Sequence, residues 1–302
     1  MNDANPKPPQ WLKDMVGKNK AALREQAAET VRNTLAEKRL HTVCVEALCP
    51  NKGKCFCEGD ATFLILGDAC TRGCKFCAVS RKKPEPPDSD EPRRVADAVL
   101  KWKLRFAVLT SPTRDDLQDG GSAHFAAVIN AIRQVSPGTG TEPLIPDFAG
   151  SEASLATVLE AGPQVLAHNM ETVPRLYSEV RSGADYARSL ALLKSVKRLA
   201  PAVAVKSGLM LGLGETEEEI LGTLSDMLDN GVEILTLGQY LAPSRNHAPV
   251  RKYLEPGEYD SLGEKARRMG FKAVQSGPLV RSSYLAGKLY SEYLGKQSSA
   301  SK

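Results

Sequence analysis

Cys70-Thr71-Arg72-Gly73-Cys74-Lys75-Phe76-Cys77 follows the apolar run Thr62-Phe63-Leu64-Ile65-Leu66. The run predicts a β-strand, and the three cysteines, spaced C-x3-C-x2-C, sit on the loop that leaves it. An iron–sulfur cluster held wholly by protein uses four thiolates, so three on one loop leave an iron open to another ligand. The alternative is zinc, which usually closes a tetrahedron of four protein ligands and would recruit a fourth cysteine from upstream.

The composition narrows the setting. All seven cysteines lie between Cys44 and Cys77. An odd number, so crowded, makes a poor disulfide framework; in a reducing cytosol such groups bind metal or do redox work. The 302 residues are 42% hydrophobic and 25% charged, as in ordinary globular proteins. That length suits one large α/β barrel or two smaller domains. The net charge of +4 carries no basic block, which argues against a nucleic-acid partner. No apolar run approaches the length of a membrane span, so no membrane association is expected. The start, Met1-Asn2-Asp3-Ala4-Asn5-Pro6, has neither an apolar signal core nor an arginine-rich stretch, and the expected location is cytoplasmic.

Upstream of the first strand, residues 1–10 carry three prolines and read as an extended arm, with Trp11-Leu12 as an anchor. Residues 19–39 read as a helix whose buried stripe is Leu23, Ala27 and Val31. A second cysteine group follows in Cys44-Val45-Glu46-Ala47-Leu48-Cys49-Pro50-Asn51-Lys52-Gly53-Lys54-Cys55, spaced C-x4-C-x5-C. Cys57 falls outside both patterns.

Downstream, strands are expected at 62–66, 106–110, 143–147, 164–168, 203–209 and 232–237, with a seventh at 271–275. Helices are expected from Asp90-Glu91-Pro92, over Ser122–Val135, from Ser151 to Gly162, and over Asp185–Leu199. Thr216-Glu217-Glu218-Glu219 has the form of a capping box opening a helix that stops at Gly231. Pro256 and Gly270 bracket the last. Such alternation implies parallel strands joined by crossover helices, in either a closed barrel or an open sheet. In barrels the chemistry gathers at the C-terminal strand ends. Polar clusters stand there after all six strands: the cysteine loop, Arg114-Asp115-Asp116-Leu117, Pro146-Asp147-Phe148, His168-Asn169-Met170-Glu171-Thr172, Gly212-Leu213-Gly214-Glu215 and Gly238-Gln239-Tyr240.

The C-x3-C-x2-C loop, with Phe76 before its last cysteine, resembles the signature of radical S-adenosylmethionine (SAM) enzymes. The pair of triads, with R-D-D-L-x-D-G-G, P-D-F-x-G, H-N-x-E-T, K-S-G-L-M-L-G-L-G-E and G-Q-Y-L-x-P-S, is similar to the lipoyl synthases from about Cys44 to Tyr284. Pro112-Thr113, before R-D-D-L, departs from the usual pattern. The resemblance implies a partial (β/α)6 TIM-like barrel over 61–275. Residues 1–60 would form an extension carrying an auxiliary cluster motif, and 276–302 a second extension with Arg281-Ser282-Ser283-Tyr284.

It implies two 4Fe–4S clusters: a SAM-binding one on Cys70, Cys74 and Cys77, and an auxiliary one on Cys44, Cys49, Cys55 and a serine. Ser283 is the expected ligand ahead of Ser282. Oxygen on a soft iron–sulfide cluster is a weak match, which suits a cluster that gives up its sulfides. Asn169, Glu171, Arg188, Gly212 and Gly214 are the expected SAM contacts, although a lone G-x-G is by itself only a turn. The implied activity is radical insertion of two sulfur atoms into an octanoyl chain on a lysine of a lipoyl carrier protein. The implied partners are that octanoylated carrier, an electron donor of flavodoxin or ferredoxin type, and an iron–sulfur carrier that rebuilds the auxiliary cluster. The rival readings are another two-cluster radical SAM enzyme, such as a methylthiotransferase, and a zinc-stabilised binding module.

Overall fold

Short apolar runs make the strands, and polar or glycine-containing turns end them. The computed structural model describes residues 6–22, 26–46, 48–57 and 62–300. The chain begins with α1 (Gln10–Ala21), α2 (Gln26–Glu37), β1 (His41–Thr42), α3 (Val43–Glu46) and α4 (Lys52–Cys57). Then come β2 (Thr62–Leu64), α5 (Glu91–Lys101), β3 (Phe106–Thr110), α6 (Ser122–Val135), β4 (Gly140–Leu144), α7 (Glu152–Glu160) and β5 (Val165–Ala167). After α8 (Tyr177–Val180) and α9 (Tyr186–Leu199) follow β6 (Ala204–Leu211), α10 (Glu217–Asp229), β7 (Ile234–Gln239), α11 (Pro256–Met269), β8 (Ala273–Gly277) and α12 (Ala286–Ala300).

Among the described residues the strands form one eight-stranded sheet in chain order. β1 runs antiparallel to β2, while β2–β3, β3–β4, β6–β7 and β7–β8 are parallel. Parallel neighbours need long crossovers, and the intervening helices supply them. By packing, the chain divides into two compact units. The first comprises Gln10–Arg72 and Ala78–Leu166; the second comprises Gly73–Cys77 and the chain from Ala167 onward, with the stretch up to Pro9.

In the first unit β2 and β3 are apolar because both faces are covered. Phe63, Ile65 and Leu109 are fully buried. α6 buries Phe125, Val128, Ile129 and Ile132, a helical stripe at i, i+3, i+4 and i+7. The helix expected over 19–39 is divided: α1 already begins at Gln10, inside the stretch read as an arm, and α2 begins at Gln26. Leu12 is buried as an anchor and Val31 as part of the stripe, while Leu23 lies outside the described residues. The third strand lies at Gly140–Leu144 rather than 143–147. Its register sets Gly140 against Phe106 and Leu144 against Thr110, so Ile145-Pro146-Asp147 falls past the strand end.

In the second unit β7 is buried throughout and β6 nearly so. The capping box at Thr216 forms, with Glu219 as its reciprocal partner. Pro256 opens α11, and Gly270 follows its end at φ +122°.

Candidate active site

β2 ends in a tight turn, and polar residues from the next two strand ends converge on it. Leu66 has φ +67°, and its N–H donates to the buried Glu91 carboxylate at 2.8 Å. Its carbonyl accepts from the guanidinium of Arg114 at 3.1 Å, and Arg114 is bidentate to Asp116 at 2.8 Å on both arms. The Cys70 N–H donates to the Ser80 carbonyl at 2.8 Å. Thr71 donates from N–H and hydroxyl to the carbonyl of Thr113, just before Arg114.

Arg72 forks onto Asp115 at 2.8 and 2.9 Å and reaches Asp147 at 2.7 Å. Asp147 is fully buried, and such charge-assisted bonds are among the strongest available. Burial works against the Arg72 charge, but the bonds to Asp115 and Asp147 outweigh it and hold its pKa above the ordinary value.

The other triad of thiols is also local. Cys44 lies on the short α3, and the Cys49 N–H donates to its carbonyl at 3.3 Å. Leu48, between them, turns the chain at φ +52°. Cys55 is on α4, its N–H donating to Asn51. Burial, and then the neighbouring Cys49, push the Cys44 thiol up to about 12. Metal binding there would have to displace a proton, which iron–thiolate bonding does. The side chain of Cys57 lies outside the described residues.

In the second unit, residues 73–77 are fastened by backbone. The Lys75 N–H donates to Val180 at 2.8 Å, and the Lys75 carbonyl accepts from Ala248 at 2.7 Å. The Cys74 thiol lies 3.9 Å from the Ser182 carbonyl. His247 Nε2 lies 3.1 Å from the Cys77 carbonyl, and its Nδ1 lies 2.8 Å from the Ser244 hydroxyl. Backbone bonds to Val180 and Ala248, with the His247 contact to the Cys77 carbonyl, thus hold the second half of the cysteine loop.

At the end of β5, Asn169 donates from Nδ2 to Glu171 Oε1 and to the Ser282 hydroxyl, both at 3.0 Å. Asn169 Oδ1 is buried with no hydrogen-bond partner among the described residues. Glu171 holds φ +68°, an uncommon conformation for a residue with a Cβ. Burial raises its carboxyl pKa, opposed by the charge of Arg181, the Asn169 bond and the charge of Arg281. His168 packs internally, with Nε2 at 3.1 Å from the Ser189 hydroxyl and 3.4 Å from Arg181.

The R-S-S-Y segment is fixed by its arginine, which donates from Nη1 to the carbonyls of Gln239 at 3.1 Å and Val280 at 2.8 Å. The Gly238 backbone passes so near that a Cβ there would stand 2.0 Å from the Val280 oxygen. Ser282 is engaged by Asn169, while Ser283 makes no side-chain hydrogen bond among the described residues.

Gly212 has an internal role. Its N–H and that of Leu213 donate to the Glu215 carboxylate, and an added Cβ would meet Gln239 Nε2 and the Lys252 carbonyl at 2.3 Å. Burial raises the Glu215 pKa, and these amides partly offset it. Gly214 accepts from Arg175 at 2.8 Å. Arg188 turns its guanidinium to the Gly183 carbonyl at 3.1 Å.

The donor set fits the expected groups. Each triad offers three thiols on one short stretch, and Asn169 Oδ1, without a partner among the described residues and beside the half-buried Glu171 carboxyl, offers acceptors to an amino group. Among the described residues, no three His, Cys, Asp or Glu side chains are drawn together as a cage for a single metal ion.

Known structures share the architecture. A maturase of the FeFe-hydrogenase superposes over 88% of this chain and 66% of its own, with TM-score 0.57 and 13% identity. Methylornithine synthase superposes over 80% and 71%, with TM-score 0.51 and 16% identity. The sequence profile of the radical SAM superfamily matches residues 64–227. Fold and cysteine loop together therefore define a radical SAM protein. Within that class, the lipoyl synthase of Trichlorobacter lovleyi is 56% identical over 92% of this chain and 96% of its own. That of Geobacter sulfurreducens is 54% identical over 92% and 89%. The chain belongs to the lipoyl synthase family.

Proposed function

We propose that this chain inserts two sulfur atoms into the octanoyl chain carried on a lysine of a lipoyl carrier domain, giving the protein-bound lipoyl group. The observation that carries the reading is the pair of cysteine triads on a radical SAM fold, in a chain more than half identical to lipoyl synthases. When bound, SAM and its 4Fe–4S cluster supply one-electron chemistry able to take hydrogen from an unactivated carbon, and the auxiliary 4Fe–4S cluster supplies sulfide.

Cys70, Cys74 and Cys77 would hold the SAM-binding cluster, and Cys44, Cys49 and Cys55 the auxiliary one. Ser283 is the fourth auxiliary ligand in this reading. Among the described residues its hydroxyl makes no hydrogen bond, whereas Ser282 is occupied by Asn169. Asn169 and Glu171 would receive the amino and hydroxyl groups of SAM. Arg188 would meet the SAM carboxylate by leaving an exposed bond to Gly183. Gly212 and Gly214 would contribute by shaping the turn, since Glu215 already takes the Gly212 amide.

On this reading residues 1–60 are an extension carrying Cys44, Cys49 and Cys55, residues 276–302 one carrying Ser283, and residues 61–275 the barrel. An electron donor of flavodoxin or ferredoxin type and an iron–sulfur carrier would serve the two clusters. No helix among the described residues is long and apolar enough to cross a membrane. The crowded cysteines suit a reducing cytoplasm. The test is release of 5′-deoxyadenosine from SAM by anaerobically reconstituted protein with and without an octanoyl-lysine peptide. Acceleration by the peptide supports this substrate, and none with both clusters intact counts against it.

A further inference from the structure

The mechanism above gives no task to Arg72, which stands between the first two cysteines of the loop. Its side chain is held at three points: Asp115 takes both Nε and Nη2, and Asp147 takes Nη2. The anchors are themselves fixed. Asp115 is bonded to Thr71, its N–H donating to the Thr71 hydroxyl at 3.1 Å, with its carboxylate 3.2 Å from that hydroxyl. Asp147 is fully buried and caps the turn at Ala149. A guanidinium so gripped leaves its own backbone little freedom. That backbone N–H points at the Cys70 sulfur, 3.4 Å away.

We propose that Arg72 is a positioning residue, whose clamp on Asp115 and Asp147 aims its backbone N–H at the Cys70 sulfur and so raises the reduction potential of the cluster that Cys70 ligates. The inference rests on the reading of Cys70 as a cluster ligand. An N–H donated to a ligating sulfur stabilises the more negative, reduced cluster, and hydrogen bonds to sulfur are among the levers that set these potentials. The clamp spans three segments distant in sequence: the cysteine loop, the turn after β3 and the turn after β4. It therefore ties the loop to two neighbouring strand ends without using any metal ligand. Lysine would keep the charge and lose the fork, because an ammonium is a point donor and not a planar pair.

The test is an EPR-monitored redox titration of the full-length reconstituted protein, following the signal that changes when SAM is added, with iron content measured alongside. Arg72→Lys is expected to retain iron and the SAM-responsive signal and to show a more negative midpoint potential. Charge alone predicts no shift in that variant. If Arg72→Lys fails to take up iron, Asp115→Asn carries the test. Loss of a nearby negative charge alone would raise the potential, whereas a slackened clamp lowers it. An unchanged potential in Arg72→Lys with full iron, or a rise in Asp115→Asn, would overturn the proposal. A wild-type protein with no SAM-responsive signal would overturn the cluster reading itself, and this inference with it.

Discussion

Gly238→Ala should dislodge the R-S-S-Y segment while leaving every cysteine in place. Gly238, next to last in β7, lies beside Val280, and an alanine Cβ there would stand 2.0 Å from the Val280 carbonyl oxygen and 2.9 Å from its carbon. Both obstacles are backbone, so no side-chain rotation relieves them. Ordinary contact begins near 3.4 Å, so the segment must withdraw by about 1.4 Å. That distance exceeds the slack of the Arg281 bonds to Gln239 and Val280, at 3.1 and 2.8 Å. Overpacking of this kind costs about 1–3 kcal/mol of stability. A misplacement of roughly 1 Å near reacting groups costs on the order of 10²-fold in rate. Thermal unfolding would read the first effect. Conversion of an octanoyl-lysine peptide in a single turnover would read the second. Iron content should stay at the wild-type level, because no thiol moves. Wild-type turnover in Gly238→Ala would refute the claim that this close approach positions the serines.

Three further outcomes follow from the same geometry. Ser283→Ala should abolish lipoyl product, while Ser282→Ala, which removes only an acceptor for Asn169, should stay within about 10-fold of wild type in the same peptide assay. Arg114→Met should destabilise the fold by about 1–3 kcal/mol in a denaturant titration, because the buried Leu66 carbonyl and the Asp116 carboxylate lose their donor. Burial raises the Glu233 pKa, but Lys197 and Lys272, at 2.5 and 2.7 Å, outweigh it and hold the carboxyl below its ordinary value. Its contribution is therefore present above the unfolded carboxyl pKa, near ~4.3, and is lost as pH falls through the lower folded value. Glu233→Gln should lower stability at pH 7 by about 1 kcal/mol and flatten the acid limb of a stability–pH curve.

Local chemistry wrote much of this structure plainly into the sequence. Ser122–Val135 forms as the periodicity requires, and Thr216 and Pro256 open their helices as their side chains dictate. β4 is poorly marked in the sequence, because Gly140 and Glu142 are not strand formers and Pro143 follows them. Gly140, Thr141 and Glu142 enter the sheet through pairing with Phe106, Ala107 and Val108, and Glu142 is buried there. The start of α1 at Gln10 was hidden by the prolines just before it.

At the site, the cysteines and the strand-end clusters announce themselves by spacing. Their fasteners do not. Arg72 meets Asp147 across 75 positions, and His247 meets the Cys77 carbonyl across 170. Nothing local marks either residue except its place in a loop that follows a strand. The Gly212 turn is the reverse case: the pattern suggests a cofactor contact, and the structure shows a glycine required by Gln239 and Lys252.

The central claim is that one triad generates the radical and the other yields the sulfur. Mass spectrometry of an octanoyl-lysine peptide, after anaerobic incubation with reconstituted protein, SAM and a strong reductant, tests it most directly. The account predicts a gain of two sulfur atoms, abolished by Cys44→Ala and by Cys70→Ala, with 5′-deoxyadenosine still released by Cys44→Ala alone. Sulfur gain that survives Cys44→Ala, or deoxyadenosine release from wild type without any sulfur gain, would contradict it.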